Sequence, residues 1–259
     1  MERLSNTERT TGLSCRGLRI WGLILALAGV VGRGLLQNRI LGMENMNTQQ
    51  LLGVLESNSQ AMSIATVSLV FQLLETCAVP LFAYLLVVGA EHTSDMKKYL
   101  MRVAVVAVLS ELPYNLAMGG RLMDYPAQNP VYGMLIALVM LMFFRMYGGK
   151  KLKAVLIKVV VALAAMLWCA MLRIDNGVCI VLIAAALWIT RGKAMLQSIV
   201  GATAAMMCSF FSIFYMASPM VFLAIHFCNG EQGEQNRVVN YLAYPVLLLA
   251  VGLAGMYLI

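Results

Sequence analysis

The sequence predicts an all-α, polytopic transmembrane helix bundle. Of its 259 residues 61% are hydrophobic and only 12% are charged, and apolar runs of membrane length recur along the chain. Soluble domains carry about 25% charged and about 45–50% apolar residues. A water-soluble globule could neither hide this much apolar side chain nor cover itself with so few charges. The 21 Gly, 6 Pro and 6 Cys exclude collagen-like, disordered and disulfide-framework classes. The net charge of +7 does not indicate nucleic acid as a partner, because the cations stand in short clusters between apolar runs, where they act as topology signals.

A membrane helix needs about 20 mostly apolar residues. Runs of that kind occupy 17–36, 63–88, 98–118, 130–147, 153–172, 175–190, 195–216 and 239–259. The first is interrupted by Gly29, Gly32, Arg33 and Gly34, and the sixth is short. The region 194–228, which contains Ser218 and Pro219, reads as one helix plus a broken half-helix or as two short spans. Eight spans is the expected count and nine the alternative. Residues 1–16 are polar and mixed in charge and read as a disordered cytoplasmic tail, which leaves 17–259 as one transmembrane domain. The first apolar run is long and meets Arg33 where a signal peptide would have a small-residue cleavage site.

With the N-terminus cytoplasmic, fourteen of the nineteen Lys and Arg fall on the cytosolic side, including the clusters at Lys97–Lys98 and Lys150–Lys153. Arg33, Arg39, Arg121, Arg173 and Arg237 fall on the other. That asymmetry sets the orientation, and eight spans put both ends in the cytosol. The expectation is a multi-pass protein of the cell membrane whose main partner is the lipid bilayer.

Ionisable side chains inside such runs cost about 3 kcal/mol each at the bilayer centre, so each is a functional candidate. Glu75 falls mid-span, Arg33 in the outer part of the first span, and Glu111 just before Pro113, Tyr114 and Asn115. Asp175 opens the sixth span and Asn129 the fourth, both from the outside. Converging on the outer half of the bundle, these groups suit one polar cavity, with Glu111 as a candidate catalytic base and Arg33, Glu75, Asn115, Asn129 and Asp175 as candidate substrate-binding groups. The structural alternatives are that Arg33 and Glu75 neutralise one another, that Asp175 and Asn129 cap helices, and that Glu111 satisfies backbone freed by Pro113. The cysteines form no CxxC pair, and neither His92 nor His226 has a Cys or carboxylate at ligand spacing, so no metal is expected.

Several motifs run in order along the chain. Val79 to Thr93 reads V-P-L-F-A-Y-L-L-V-V-G-A-E-H-T and is followed by Lys98-Tyr99-Leu100-Met101-Arg102; Leu109 to Asn115 reads L-S-E-L-P-Y-N. Asp175-Asn176-Gly177, Cys228-Asn229-Gly230 and Tyr241 to Pro245 (Y-L-A-Y-P) come later. This series resembles the TraX family, with His92, Thr93, Pro113, Asn229, Gly230, Tyr244 and Pro245 on motif positions. The resemblance implies a bacterial membrane acyltransferase of the kind that acetylates pilin in conjugal transfer. It implies acetyl-CoA or another acyl-CoA as a donor from the cytosol, and a pilin-like or secreted peptide amine or hydroxyl as acceptor. A histidine oriented by a carboxylate would deprotonate that acceptor.

The chain departs from the pattern where chemistry is expected. The family's Asp-His pair in the first helix falls on Gly29-Val30, its Gly-Arg pair on Glu75-Thr76, and its last histidine on Leu247. Three functions follow as expectations: a TraX-like protein with degenerate chemistry that serves as a non-catalytic partner, an active O- or N-acyltransferase using the outer polar groups with Glu111 as base, and a small-solute transporter.

Overall fold

The computed structural model describes residues 14–123, 125–149, 151–228 and 237–257. Helix α1 (Cys15–Val30) starts where the Ser14 hydroxyl accepts the Gly17 N–H, and it runs without a break into a π-helical stretch, Val31–Ile40. A surface helix, α2 (Thr48–Ser57), follows, outside the apolar runs of the sequence and opened by a reciprocal Asn47–Gln50 capping box. Helix α3 (Ser59–His92) has 34 residues. At 1.5 Å per residue it is about 50 Å long, well beyond the roughly 30 Å of bilayer hydrocarbon. Then come α4 (Met96–Gly119), α5 (Pro130–Met146), α6 (Leu152–Met171), α7 (Gly177–Ile189) and α8 (Ala194–Met207). Two 3-10 segments, Cys208–Phe210 and Ile213–Met220, lead into α9 (Val221–His226), and α10 (Arg237–Tyr257) closes the described chain. Four of these segments are individually long and apolar enough to cross a membrane: Cys15–Ile40, Ser59–His92, Met96–Gly119 and Leu152–Met171.

Side-chain contacts fix the direction of each leg. Gly22 faces Phe82 and Gly29 faces Glu75, so α1 and α3 are antiparallel; Gly89 meets Tyr99 at the α3–α4 turn. Arg145 at the end of α5 donates to the Thr93 carbonyl (3.2 Å), and Gly133 near its start packs on Gly177 at the start of α7. The turn at Asp95 therefore marks one end of the bundle, here termed the basic end. There the Lys98 backbone N–H bonds the Asp95 carboxylate at 3.1 Å, capping α4 and holding the Asp95 carboxyl below its ordinary range.

The segment 208–226 turns back along α8. Ser218 Oγ lies 3.5 Å from the Ala205 carbonyl and His226 Nδ1 lies 3.3 Å from Ser198 Oγ, while Cys228 reaches Cys15 with the sulfurs 4.0 Å apart. Helix α10 then rises beside α4, Gly252 against Leu116 and Gly255 beside Arg39. Among the described residues the chain thus makes nine alternating legs, the alternative to the expected eight. Arg237 starts α10 at the basic end instead of the opposite one, which strengthens the charge asymmetry, and Tyr257 ends at the opposite end. The return leg is possible because a 3-10 helix rises about 2 Å per residue. Residues 213–226 therefore reach about 25 Å without a 20-residue apolar helix.

The apolar core joins Leu86 and Val87 of α3, Leu138 and Leu141 of α5, and Ile183 and Leu187 of α7, all buried. The outer face of α6, with Leu163, Leu167 and Trp168, and residues such as Met101 and Phe210 are exposed, as suits a surface solvated by lipid. Five of the six cysteines are buried and Cys77 is half-buried.

Candidate functional site

Three features bring polar groups to the middle of the bundle. The first is the π winding at 31–40, a rare conformation often found at functional sites. It places Gly32 against Phe71 and the Ser68 carbonyl, and Gly34 against the Ala117 carbonyl, with Arg33 reaching across between them. Ser68 Oγ locks this contact by donating to the Gly32 carbonyl at 2.8 Å. The second is the shortness of α7, whose 13 residues span about 20 Å and so begin below the outer surface. The third is a tight turn before α7, in which Arg173 and Asn176 both adopt positive φ (51° and 56°). Its partner is the strand-like bridge between Gln128 and Ile174, where the Asp175 N–H donates to the Gln128 carbonyl (2.9 Å) and the Gln128 N–H to the Arg173 carbonyl (3.1 Å).

At the centre the Arg33 guanidinium holds two carboxylates. It donates through Nε to Glu75 Oε2 (3.2 Å) and through a terminal nitrogen to Glu75 Oε1. Toward Asp175 its two terminal nitrogens reach Oδ1 at 3.2 Å and Oδ2 at 2.6 Å. Tyr114 donates its hydroxyl to Asp175 Oδ2 at 2.8 Å, Asn176 Nδ2 lies 3.5 Å from Glu75 Oε1, and Tyr215 donates to Asn176 Oδ1 at 2.6 Å. The Arg33, Glu75 and Asp175 side chains are 22%, 11% and 14% exposed. One cation between two carboxylates leaves the cluster with a formal charge of −1.

Two cavities meet there. One, of about 410 Å³, opens at the basic end between Arg19, His92, Thr93, Tyr99, Arg102 and Tyr241 and ends at Glu75 and Asn176. Its shaft is apolar, with Leu23, Val79, Phe82, Val106 and Met134. The other, of about 310 Å³, holds Arg33, Gln72, Asp175 and Tyr215 and extends toward Phe211, Ser212 and Phe214 in the turn at the opposite end. Glu75 and Asn176 line both.

Of the candidates read from the sequence, Arg33, Glu75 and Asp175 come together. Glu111, Asn115 and Asn129 do not join them, and none of the three lines either cavity. Glu111 instead bonds Asn129, whose backbone N–H and Nδ2 approach Oε2 at 3.3 and 2.5 Å. The same Nδ2 donates to the Ala107 carbonyl, and Oδ1 caps α5 through the Val131 N–H. Asn115 donates to the Leu122 carbonyl at 3.4 Å, and its buried Oδ1 has no partner among the described residues. His92 and Thr93 are at the mouth of the larger cavity, Tyr244 lies in its wall, and Pro113 and Pro245 fall inside helices. Asn229 and Gly230 lie outside the described residues.

Tyr215 and Gln72 did not stand out in the sequence, Tyr99, Arg102 and Tyr241 stood out only as parts of motifs and not as site residues, and Arg19 only as a topology marker. The K-Y-x-x-R motif was the signal available for Tyr99 and Arg102. No group of three or more His, Cys, Asp or Glu able to hold a metal occurs among the described residues.

A further contact concerns the departures from the motif pattern. Gly29 lies directly on Glu75: a Cβ at position 29 would overlap the Glu75 Cβ, Cδ and Oε2. Helix α1 thus provides backbone, and α3 the carboxylate, at one point in space. Neither a curated protein nor a solved structure matches the chain. The family model described as TraX protein matches residues 43–254, most of the chain, and with its helical membrane architecture the protein belongs to the TraX family.

Proposed function

We propose that this protein is an active acyl-transfer protein of the bacterial cell membrane, with Glu75 at the point of transfer. The observation that carries the reading is that Glu75 is shared by two cavities reaching toward opposite ends of the bundle. The Lys and Arg asymmetry makes the basic end cytosolic. An acyl-CoA donor enters there and presents its thioester to Glu75 and Asn176. An acceptor amine or hydroxyl, from a pilin-like or secreted peptide, approaches through the opposite cavity.

Glu75 takes the acceptor proton as the acceptor attacks the thioester carbonyl carbon. The C–S bond breaks, and the leaving thiolate takes the proton that Glu75 holds, giving the acylated acceptor and free CoA. Asn176, set by Tyr215, offers an amide N–H beside the reacting carbonyl. Arg33 and Asp175 keep the Glu75 side chain in place.

The Gly29–Glu75 contact supports an active protein over a degenerate one. In the register of the resemblance, the family has its carboxylate at position 29 and a glycine at 75. Here the two are exchanged across the same helix–helix contact, so the carboxylate is moved and not lost. That register rests on the resemblance, since the family match begins at residue 43.

A non-catalytic, acyl-CoA-binding relative is the second reading. It is favoured by Val30, a buried valine at the family's histidine position, and by the placement of His92 at the cavity mouth, far from Glu75 along α3. The experiment is transfer of a radiolabelled acetyl group from acetyl-CoA, added outside, to a synthetic pilin-like peptide sealed in the lumen of inside-out membrane vesicles, so that each substrate meets its own cavity. General acid–base assistance is worth about 10²–10⁴-fold, so Glu75→Gln is expected to remove the signal. A rate unchanged in Glu75→Gln overturns the assignment. No rate in the wild type, with acyl-CoA binding intact, establishes the second reading.

A further inference from the structure

The outer cavity has a reactive feature that acyl transfer at Glu75 does not use. Cys179 lines its wall together with Arg33, Asn176 and Tyr215. The Cys179 thiol is within hydrogen-bonding reach of two groups, the Cys208 thiol and the Tyr215 hydroxyl. Both cysteines are free thiols buried in the bundle, 3% and 0% exposed. Cys179 therefore meets solutes only through the cavity, whose volume of about 310 Å³ admits small molecules and excludes a protein.

Local structure gives the two sulfurs different characters. Cys179 is the third residue of α7, in the first turn, where the helix dipole favours an anion. A thiolate is the nucleophilic form of cysteine. Cys208 stands where α8 ends, and its thiol donates back to the Ala204 carbonyl at 3.4 Å, a contact that keeps the proton in place. One member of the pair is thus set to attack and the other to resolve.

Both cysteines are also tied to the transfer site. The single hydroxyl proton of Tyr215 goes to Asn176 Oδ1 at 2.6 Å, so the bond between Tyr215 and Cys179 is donated by the thiol. Asn176 in turn lies 3.5 Å from Glu75. The Cys208 carbonyl accepts the Phe211 and Ser212 N–H groups at 2.9 and 3.3 Å, which holds the turn at the outer end of the cavity.

We propose that Cys179 and Cys208 are an oxidation site for hydrogen peroxide, and that the disulfide they form turns transfer down. The Cys179 sulfur attacks one peroxide oxygen, the O–O bond breaks, and the departing hydroxide takes the thiol proton, leaving a sulfenic acid and water. The Cys208 sulfur then attacks the Cys179 sulfur. The S–O bond breaks, and the hydroxide leaves as a second water with the Cys208 proton. Two thiols are oxidised to one disulfide and one peroxide is reduced to two waters. Oxidation removes the S–H that supports Tyr215 and pins the start of α7 to the turn after α8. The effect on transfer rests on the acyl-transfer reading; the oxidation itself does not.

The probe is hydrogen peroxide, added to the purified full-length protein in detergent. Remaining thiols are alkylated, and the digested peptides are mapped by mass spectrometry. A Cys179–Cys208 disulfide that dithiothreitol reverses is the expected result. Transfer by the oxidised protein is expected to fall about fivefold, the size of one hydrogen bond, and to recover on reduction. Cys208→Ser is expected to transfer as the untreated wild type does. With no resolving thiol, its Cys179 is expected to pass on to sulfinic acid, which dithiothreitol does not reverse. Cys179 left as a thiol while another cysteine oxidises overturns the site, and this needs no variant to fold. A sulfinic acid at Cys179 in the wild type, with Cys208 unlinked, overturns the pairing. A reversible disulfide with unchanged transfer keeps the oxidation site and overturns its control of the reaction. Thiol mapping requires no turnover, so failure of the acyl-transfer reading is distinguishable from failure of the oxidation site.

Discussion

The backbone of Gly29 lies against the side chain of Glu75, with no room for a Cβ between them. Helix α1 can carry a side chain at this point only if α3 gives one up. Gly29→Asp alone is expected to lower folded yield, because overpacking a tight helix contact costs about 1–3 kcal/mol and a third carboxylate would join the cluster. The double variant Gly29→Asp with Glu75→Gly, which returns the carboxylate to α1, is expected to recover the yield. Detergent-solubilised yield and melting temperature by fluorescence-detected gel filtration check this. A double variant as poor as Gly29→Asp alone refutes the exchange.

The net charge of the cluster predicts an order among single substitutions. An isolated Arg33–Glu75 pair would make loss of either partner equally harmful. Asp175 changes that, because Arg33 binds both carboxylates. Glu75→Gln leaves Arg33 and Asp175 as a neutral pair and is expected to fold nearly as well as the wild type. Arg33→Gln leaves two carboxylates facing each other without a cation. Removing the shared partner of a buried ion pair costs about 3–5 kcal/mol, so this variant is expected to be the least stable of the set. Thermal unfolding in a fixed detergent ranks them; equal loss in both variants contradicts the shared-cation geometry.

What was legible in the sequence follows from how local each signal is. Arg33, Glu75 and Asp175 each stood out as an ionisable group in or beside an apolar run, and the cost of leaving a charge alone in a membrane made their meeting a reasonable expectation. Glu111 carried the same signal but serves differently. Its partner Asn129 was visible as a substrate-binding candidate or a helix cap but not as a partner of Glu111, because which helices pack together is a tertiary fact. The return leg at 213–226 was legible only as the alternative to a broken half-helix, because the criterion of about 20 apolar helical residues does not recognise a 3-10 segment containing Pro219. The Gly29–Glu75 contact could be read only as two separate departures from a motif until the register of α1 on α3 made them one.

Topology gives the third prediction. Nine legs put Tyr257, which is exposed, on the side opposite Lys151. In a variant without the native cysteines, Tyr257→Cys is expected to react with a membrane-impermeant maleimide added to intact cells. Lys151→Cys is expected to react only after permeabilisation. Protection of both sites in intact cells restores the eight-leg arrangement with both ends in the cytosol.

Glu111 and Glu75 make competing claims to be the base, and the geometry separates them. Glu111 accepts two hydrogen bonds from Asn129, which caps α5, and the adjacent Gln128 exchanges backbone hydrogen bonds with the turn that carries Asp175. Glu111 thus supports the site from behind as a positioning residue and lines neither cavity. Gln at this position still offers a carbonyl oxygen to Asn129. Glu111→Gln is therefore expected to keep transfer within about fivefold of the wild type, the size of one altered hydrogen bond of about 1 kcal/mol. Glu111→Ala is expected to lower melting temperature and transfer together, with the apparent KM for the acyl donor unchanged because the cavity wall is intact. The vesicle transfer assay with both variants beside Glu75→Gln checks the assignment. Loss of transfer in Glu111→Gln at wild-type melting temperature, with Glu75→Gln still active, would move the chemistry from the junction of the two cavities to the start of α5.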